Sequence, residues 1–158
     1  MTGRAYYNSP VGELLIESED DKIVTVNFLK EKKADEVITP PIEHCLKELE
    51  EYFFQGRKFF TIELKFNGSP FQNKVWNELM NIPYGKTISY LDLATRVGDA
   101  NSVRAVGLAN GQNPIAIIAP CHRVIGKNGD LVGYGGGLDK KEWLLYHEGA
   151  VSQQMKLF

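Results

Sequence analysis

The residues best suited to chemistry stand side by side: Cys121, His122 and Arg123, directly after Pro120 and the apolar run Ile115 to Ala119. A thiol flanked by an imidazole and a guanidinium is a candidate nucleophile, because cationic neighbours lower a thiol pKa from about 8.5 and the thiolate is the reactive form. Read as a buried strand, Ile115 to Ala119 would deliver Pro120, whose missing N–H ends the ladder, and present Cys121 at the strand end. Adjacent residues of an extended segment point to opposite sides, so His122 would reach the Cys121 proton through a bridging water. An acid is also needed to orient the imidazole, and Glu148, beside His147, is a candidate. The competing reading makes Cys121 a small core filler, with His122 bonded to a backbone carbonyl.

Other residues divide in the same way. Cys45 lies on the apolar face of a helix and reads as core, the usual place for a free cysteine. His44, His122 and His147 with the two cysteines lack zinc-finger spacing, so no metal site is expected and nothing calls for a cofactor. Arg104 stands two residues into a short helix, whose positive N-terminal end also welcomes phosphate; taken alone, it reads as a solvated surface charge. Its company favours the phosphate: Lys86, Arg96, Arg104, Arg123 and Lys127 face only Asp92 and Asp99 over the same stretch. Ala105, Gly107, Ala109 and Gly111 make that helix slim enough to approach a groove, or to pack tightly on another helix. Tyr90 reads either as core or as an aromatic or hydroxyl contact in a pocket. Gly133-Tyr134-Gly135-Gly136-Gly137 is a plain loop or a backbone wall against a flat ligand.

The elements that must place these residues are also signalled. Leu14 to Ile16 and Ile23 to Leu29 are aliphatic and β-branched, separated by the acidic turn Glu17 to Lys22, which predicts a hairpin. After Pro40-Pro41, the spacing of Ile42, Cys45, Leu46, Leu49, Tyr52 and Phe53 predicts one helical face, ended by Gly56. Phe59 to Phe66 reads as a further strand. Asn67-Gly68-Ser69-Pro70 then punctuates the chain, and Ser69 opens a helix bearing Phe71, Val75, Trp76, Leu79 and Met80. Ser89 to Asp92 has capping-box spacing for a short helix ending at Val97 and closed by Gly98; Ser102 is expected to cap the next, Val103 to Asn110. Two short helices joined through a glycine suggest a helix-turn-helix. A final helix starts with Asp139 and Glu142, bears Leu144, Leu145 and Tyr146, and stops at Gly149. The expectation is an α+β chain of two domains, 1–66 and 67–158.

Composition sets outer limits. At 158 residues, with 43% hydrophobic and 24% charged, the chain suits one domain or two small ones in a soluble globular protein. Its formal charge of −2 argues against a generic polyanion binder. Divided at Phe66, however, the first part holds 9 basic and 13 acidic residues and the second 9 and 7, so the relative positive excess lies with the candidate chemistry. Two cysteines outside any CxxC fit a reducing cytosol, and no apolar run has the length expected of export or membrane insertion.

Pro120 to Val124 resembles the active-site signature of the O6-alkylguanine-DNA alkyltransferases, also called methylated-DNA–protein-cysteine methyltransferases. Phe71-Gln72 to Trp76, Pro83 to Tyr90, Arg104 to Gly107, Asn113-Pro114, Gly133-Tyr134 and Lys141 to Gly149 follow in family order. The resemblance spans Ser69 to Gly149; the first part matches in size and in its order of strands and helix. It implies an RNase H-like N-terminal domain and a mostly helical, winged-helix-like C-terminal domain with the helix-turn-helix. It also implies DNA repair by direct reversal in one turnover: Cys121 takes the alkyl group from O6-alkylguanine in double-stranded DNA after base flipping, with O4-alkylthymine a further candidate substrate. His122 would act through a water as base and Glu148 would hold it. Tyr90 would donate toward the purine and press on the neighbouring phosphate, and Asn113 would brace the cysteine loop. Arg104 would fill the gap left by the flipped nucleotide, with Ser102 and Ala105 beside it on the DNA. Val124, Tyr134 and Gly135 would form the pocket; relatives often carry Ser or Ala in place of Gly135, so this loop should be looser. The resemblance adds no metal or cofactor, and implies a monomer acting in the cytoplasm, near the nucleoid in a prokaryote, away from membranes.

Three other classes set contrasting expectations. A lesion-binding relative without a nucleophile would usually have Trp where Cys121 stands. A helix-turn-helix regulator would call for a dimer stripe, and none is evident. A cysteine hydrolase would turn over acyl substrates.

Overall fold

Ala5, Leu14, Ile16, Ile23, Val26 and Phe28 turn one face of a small sheet inward. Its strands are β1 (Gly3–Ser9), β2 (Gly12–Glu19) and β3 (Lys22–Phe28), paired antiparallel in the order β1-β2-β3. The expected hairpin is β2-β3; β1 lies in a segment to which the sequence pattern assigns no element. This computed structural model describes residues 2–126, 134 and 136–151. It divides into two compact units, Met1–Asn67 and Gly68–Phe158.

In the first unit, α1 (Pro40–Phe54) buries Ile42, Cys45, Leu49, Tyr52 and Phe53, while Leu46 is only half-buried. Glu48 is buried on that face instead, because it accepts the Thr61 backbone N–H at 2.8 Å and pairs with Arg57 at 3.2 Å. This diversion of a backbone donor explains why Phe59 to Phe66 is not a full strand: it joins the sheet through the single bridge Ile23–Leu64.

The second unit is mostly helical. Ser69 and Gln72 form a capping box on α2 (Pro70–Leu79), which buries Val75, Trp76 and Leu79. Two-residue β4 (Ile88–Ser89) leads into α3 (Tyr90–Val97), where Ser89 and Asp92 form a second capping box. Gly98 closes α3 with φ 111°, a conformation costly for any residue with a Cβ. After a 3₁₀ turn, Ala100–Ser102, comes α4 (Val103–Gly111), completing the helix-turn-helix. Ser102 does not cap it, contrary to expectation; its hydroxyl donates to the Asp99 carbonyl at 2.6 Å. The Trp76 indole donates to the Ala109 carbonyl at 2.8 Å and ties α2 to α4. Two-residue β5 (Val124–Ile125) pairs in parallel with β4, and α5 (Leu138–His147) ends the described fold. No helix among the described residues is long and apolar enough to cross a membrane.

Ile115 to Ala119 is buried but is not a strand. Ile118 donates to the Ala116 carbonyl at 2.8 Å and Ala119 to that of Ile115 at 3.0 Å, while Ile117 takes φ 72°. The segment satisfies its polar groups by turning on itself, so Cys121 is not delivered at a strand end. Because the Ser89 hydroxyl holds the first turn of α3, on which Tyr90 sits, Ser89→Ala is expected to cost about 1 kcal/mol in urea unfolding. An unchanged midpoint would show that the cap carries no weight.

Candidate active site

A β-branched residue at positive φ is strained, and a strained turn persists only when its surroundings hold it. Asn113 supplies the hold around Ile117. Its Nδ2 donates to the carbonyls of Ala119 at 2.7 Å and Ile115 at 3.3 Å, and its Oδ1 accepts from the Ile115 N–H at 3.0 Å. The chain leaves this turn through Pro120 into a 3₁₀ turn, Cys121–Arg123, where the Cys121 N–H donates to Ala119 at 2.8 Å. The three reactive residues are therefore coiled rather than extended, which corrects the alternation argument for His122. Cys121 is 7% exposed and His122 fully buried.

Burial sets the next requirement, that every charge have a partner. Glu148, just past the end of α5, meets two of them. Its carboxylate lies 2.9 Å from His122 Nε2 and accepts from Arg123 at 2.7 and 3.0 Å in a two-pronged ion pair. Arg123 also donates to the Ile82 carbonyl at 2.6 Å and lies 5.7 Å over the Tyr84 ring. Gly85, at φ 79°, lets that turn approach: a Cβ there would sit 3.2 Å from the Glu148 carbonyl oxygen. Burial alone would raise the Glu148 carboxyl, but the His122 contact and the Arg123 guanidinium hold it well below the carboxylate range. His122 is shifted down, because burial outweighs Glu148, and it rests neutral. A carboxylate can only accept, so Nε2 carries the ring proton and Nδ1 carries the lone pair. Nδ1 is buried with no hydrogen-bond partner among the described residues.

The thiol itself behaves differently from the sequence expectation. Burial pushes Cys121 up, and the groups that oppose this are Asn113 and Lys141, not the adjacent Arg123, whose charge is engaged by Glu148. Lys141 is buried on α5, its ammonium pulled down to about 8 by burial and held up in part by Cys121, and it lies 5.8 Å over the Tyr90 ring. Tyr90 is raised by burial and by Cys121, with Asn110 opposing. Tyr134 has a buried hydroxyl, and burial with the nearby Cys121 and Glu148 raises it well above the ordinary phenol.

The structure thus brings together Cys121, His122, Glu148, Asn113, Tyr90 and Tyr134, and buries Val124 in β5 beside them. Arg104 and Ala105 are exposed on α4, and Ser102 is half-buried before it. Gly135 and Lys127 lie outside the described residues. Sequence reasoning missed the Arg123 pairing, Lys141 and Asn110. Lys141 was accessible, since Lys141, Leu145 and Glu148 share a buried face at helical spacing; Arg123 and Asn110 gave no local signal. Cys45, in the first unit, is core as expected, its thiol raised by burial.

The buried pair makes the fold acid-sensitive. Glu148 is held below its unfolded value of about 4.3, so its contribution is complete above that pH and is lost as pH falls through the folded value. His122 resists protonation in the fold, so acidification below about 6.5 favours the unfolded chain. Glu148→Gln leaves the Arg123 charge buried without its partner and is expected to lower stability at pH 7 by about 3 kcal/mol in urea unfolding. A loss under about 1 kcal/mol would contradict the pairing as described.

A family model described as the DNA binding domain of 6-O-methylguanine DNA methyltransferase matches residues 70–150, and one described as its ribonuclease-like domain matches 4–66. A methylated-DNA–protein-cysteine methyltransferase of Methanosarcina acetivorans is 46% identical, covering 92% of this chain and 97% of its own. A constitutive one of Bacillus subtilis is 44% identical, covering 83% and 87%. The crystal structure of Mycobacterium tuberculosis O6-methylguanine methyltransferase superposes with a TM-score of 0.85 at 38% identity, over 98% of this chain and 97% of that one. The structure of Mycobacterium tuberculosis OGT in complex with DNA gives 0.83 at 40%, over 92% and 91%. With both units matched in order and relatives aligned over nearly the whole length, the chain belongs to the 6-O-methylguanine DNA methyltransferase family.

Proposed function

We propose that this protein repairs O6-alkylguanine in double-stranded DNA by moving the alkyl group to Cys121, once per molecule. The observation that carries this reading is a buried thiol beside a neutral imidazole whose lone-pair nitrogen, Nδ1, is buried and unpartnered among the described residues. In the displacement the sulfur–carbon bond forms as the carbon–oxygen bond to O6 breaks. The thiol proton passes through a water to His122 Nδ1, the electron pair left on the purine takes up a proton from solvent at a ring nitrogen, and the imidazolium returns its proton to solvent, so that overall the thiol hydrogen is exchanged for the alkyl group. His122 is the base, Glu148 fixes its tautomer, and Asn113 holds the cysteine turn. Tyr90 donates a hydrogen bond toward the purine.

A thiol that is 7% exposed cannot reach a stacked base, so the nucleotide must leave the helix. Arg104, Ser102 and Ala105 on or before α4 face the DNA, with Arg104 filling the space the base vacates and Tyr90 pressing on the adjacent phosphate. Val124, Tyr134 and Gly135 form the pocket, and O4-alkylthymine is a further candidate substrate. The 9 basic and 7 acidic residues after Phe66 make DNA affinity modest and salt-sensitive, so lesion preference rests on the pocket and the chemistry. The working divisions are 1–66 and 67–158, the latter holding site and DNA surface in a monomer. Two unbridged cysteines suit action in the reducing cytosol, near the nucleoid in a prokaryote.

Incubation with duplex carrying O6-methylguanine is expected to add one methyl to the intact protein mass, on Cys121 and absent from Cys121→Ala. Tight lesion binding without a mass gain would instead favour a non-enzymatic binder, and repeated turnover a hydrolase. The single-turnover rate should be highest near pH 7, falling below about 6.5 as His122 gains a proton and easing above about 8 as the Lys141 ammonium near Cys121 loses one. A tenfold rise per pH unit above 7 would show the thiol ionising to solvent instead. Arg104→Ala should slow duplex repair by about tenfold or more while sparing free alkylated base; equal losses would exclude it as the flipping residue.

A further inference from the structure

We infer that Asn110 is a specificity-determining residue whose side-chain oxygen accepts a hydrogen bond from the 2-amino group of the flipped guanine, an inference that rests on the alkyl-transfer reading and names a further part of the same site. Asn110 lies on the inner side of α4, 4% exposed, while Arg104, Ala105 and Leu108 on the same helix face outward. Its Nδ2 lies 3.5 Å from the Cys121 carbonyl oxygen. That oxygen can only accept, so the nitrogen end of the carboxamide faces it and the oxygen end is left for another group. Oδ1 is buried and has no hydrogen-bond partner among the described residues. Gly107 shares a face of α4 with Asn110 at a spacing of three, and a Cβ there would stand 3.7 Å from Tyr90 Cδ1. The unused acceptor thus belongs to a side chain placed between the backbone of the proposed nucleophile and the ring proposed to contact the purine.

A buried acceptor without a donor is costly, and a substrate that brings the donor accounts for its being kept. The lesion brings one. Guanine presents acceptors at N3 and N7, and an alkyl group on O6 leaves N1 without its proton, so the 2-amino group is the only donor on the base. O4-alkylthymine has no N–H on its ring at all. The match is therefore one of chemical kind, an acceptor that lacks a donor facing a base with one donor group. A base that lacks this group would leave Oδ1 unpaired, and a site built to hydrogen-bond its substrate rejects the analogue that cannot. Packing gives no reason for an amide here, since Val106 and Ala109, its neighbours on the inner side of α4, are buried and apolar. A trapped water is the alternative donor, and it would be blind to the 2-amino group.

A cycle of one side-chain change and one substrate change tests this. Single-turnover methyl transfer is measured from O6-methylguanine and from O6-methylhypoxanthine, the same purine without its 2-amino group, each in duplex opposite an abasic site so that pairing does not differ. The unmutated protein should favour O6-methylguanine, and Asn110→Leu, of the same branched shape, should cut that preference roughly tenfold, the worth of one buried hydrogen bond. The loss should fall on O6-methylguanine, with the hypoxanthine lesion processed within about twofold of the unmutated rate. Equal losses on both lesions, as from a packing defect, or an unchanged preference, as from a trapped water, would overturn the role. Asn110→Met, whose unbranched chain adapts to irregular space, carries the same expectation if the leucine variant fails to fold. The unmutated protein also decides between the two levels of the account. No methyl transfer by it from O6-methylguanine overturns the alkyl-transfer reading itself, whereas transfer from both lesions at one rate overturns Asn110 alone.

Discussion

A carboxylate taken out of water is the constraint around which the second unit is arranged. Glu148 is buried, and it stays ionised only because Arg123 and His122 converge on it. The three residues come from a turn and from the end of a helix about 25 positions later, so the pairing also sets where those segments lie. Arg123 extends the arrangement to Ile82 and Tyr84, and Gly85 allows the Tyr84 turn to come within reach of the Glu148 backbone. The chemical consequence is a tautomer. With Nε2 committed to a carboxylate that cannot donate, the imidazole presents a buried Nδ1 that bears the lone pair.

Cys121, the proposed nucleophile, is held by a different device. Asn113 closes a turn containing Ile117 at positive φ, and that turn carries the chain into the 3₁₀ segment of Cys121. At rest the thiol is kept protonated by burial, against the opposing pull of Asn113 and Lys141. On the proposed reading, in which the thiol is spent in a single reaction, it gains from this: it stays a weak nucleophile until a substrate has entered and a base can take its proton. The ammonium of Lys141 then provides a nearby positive charge for the thiolate that forms in transit.

Much of this was legible in the residues. Capping boxes at Ser69 and Ser89, the glycine closing α3, and the helical spacing on α1 are local codes, and local codes survive folding. So was the reactive cluster, because Cys, His and Arg in a row are chemically distinctive and Glu148 was the acid placed to serve it. What failed was whatever depended on competition for backbone partners. Ile115 to Ala119 has strand composition, yet Asn113 offers its polar groups a turn; Phe59 to Phe66 also reads as a strand, yet Glu48 takes the Thr61 donor. Ser102 has the right type for a cap but spends its hydroxyl on Asp99. Adjacency in sequence does not give electrostatic access: Arg123 is occupied by a partner 25 residues away and does not lower the Cys121 thiol.

The central claim is that Glu148 fixes His122 as a neutral base with its proton on Nε2 and its lone pair on Nδ1. Nitrogen-15 NMR of histidine-labelled protein at pH 7 measures this directly. The account predicts a neutral His122 with a protonated Nε2 and a bare Nδ1 that titrates below the ordinary imidazole range. An imidazolium at neutral pH, or a proton on Nδ1 with Nε2 bare, would contradict it.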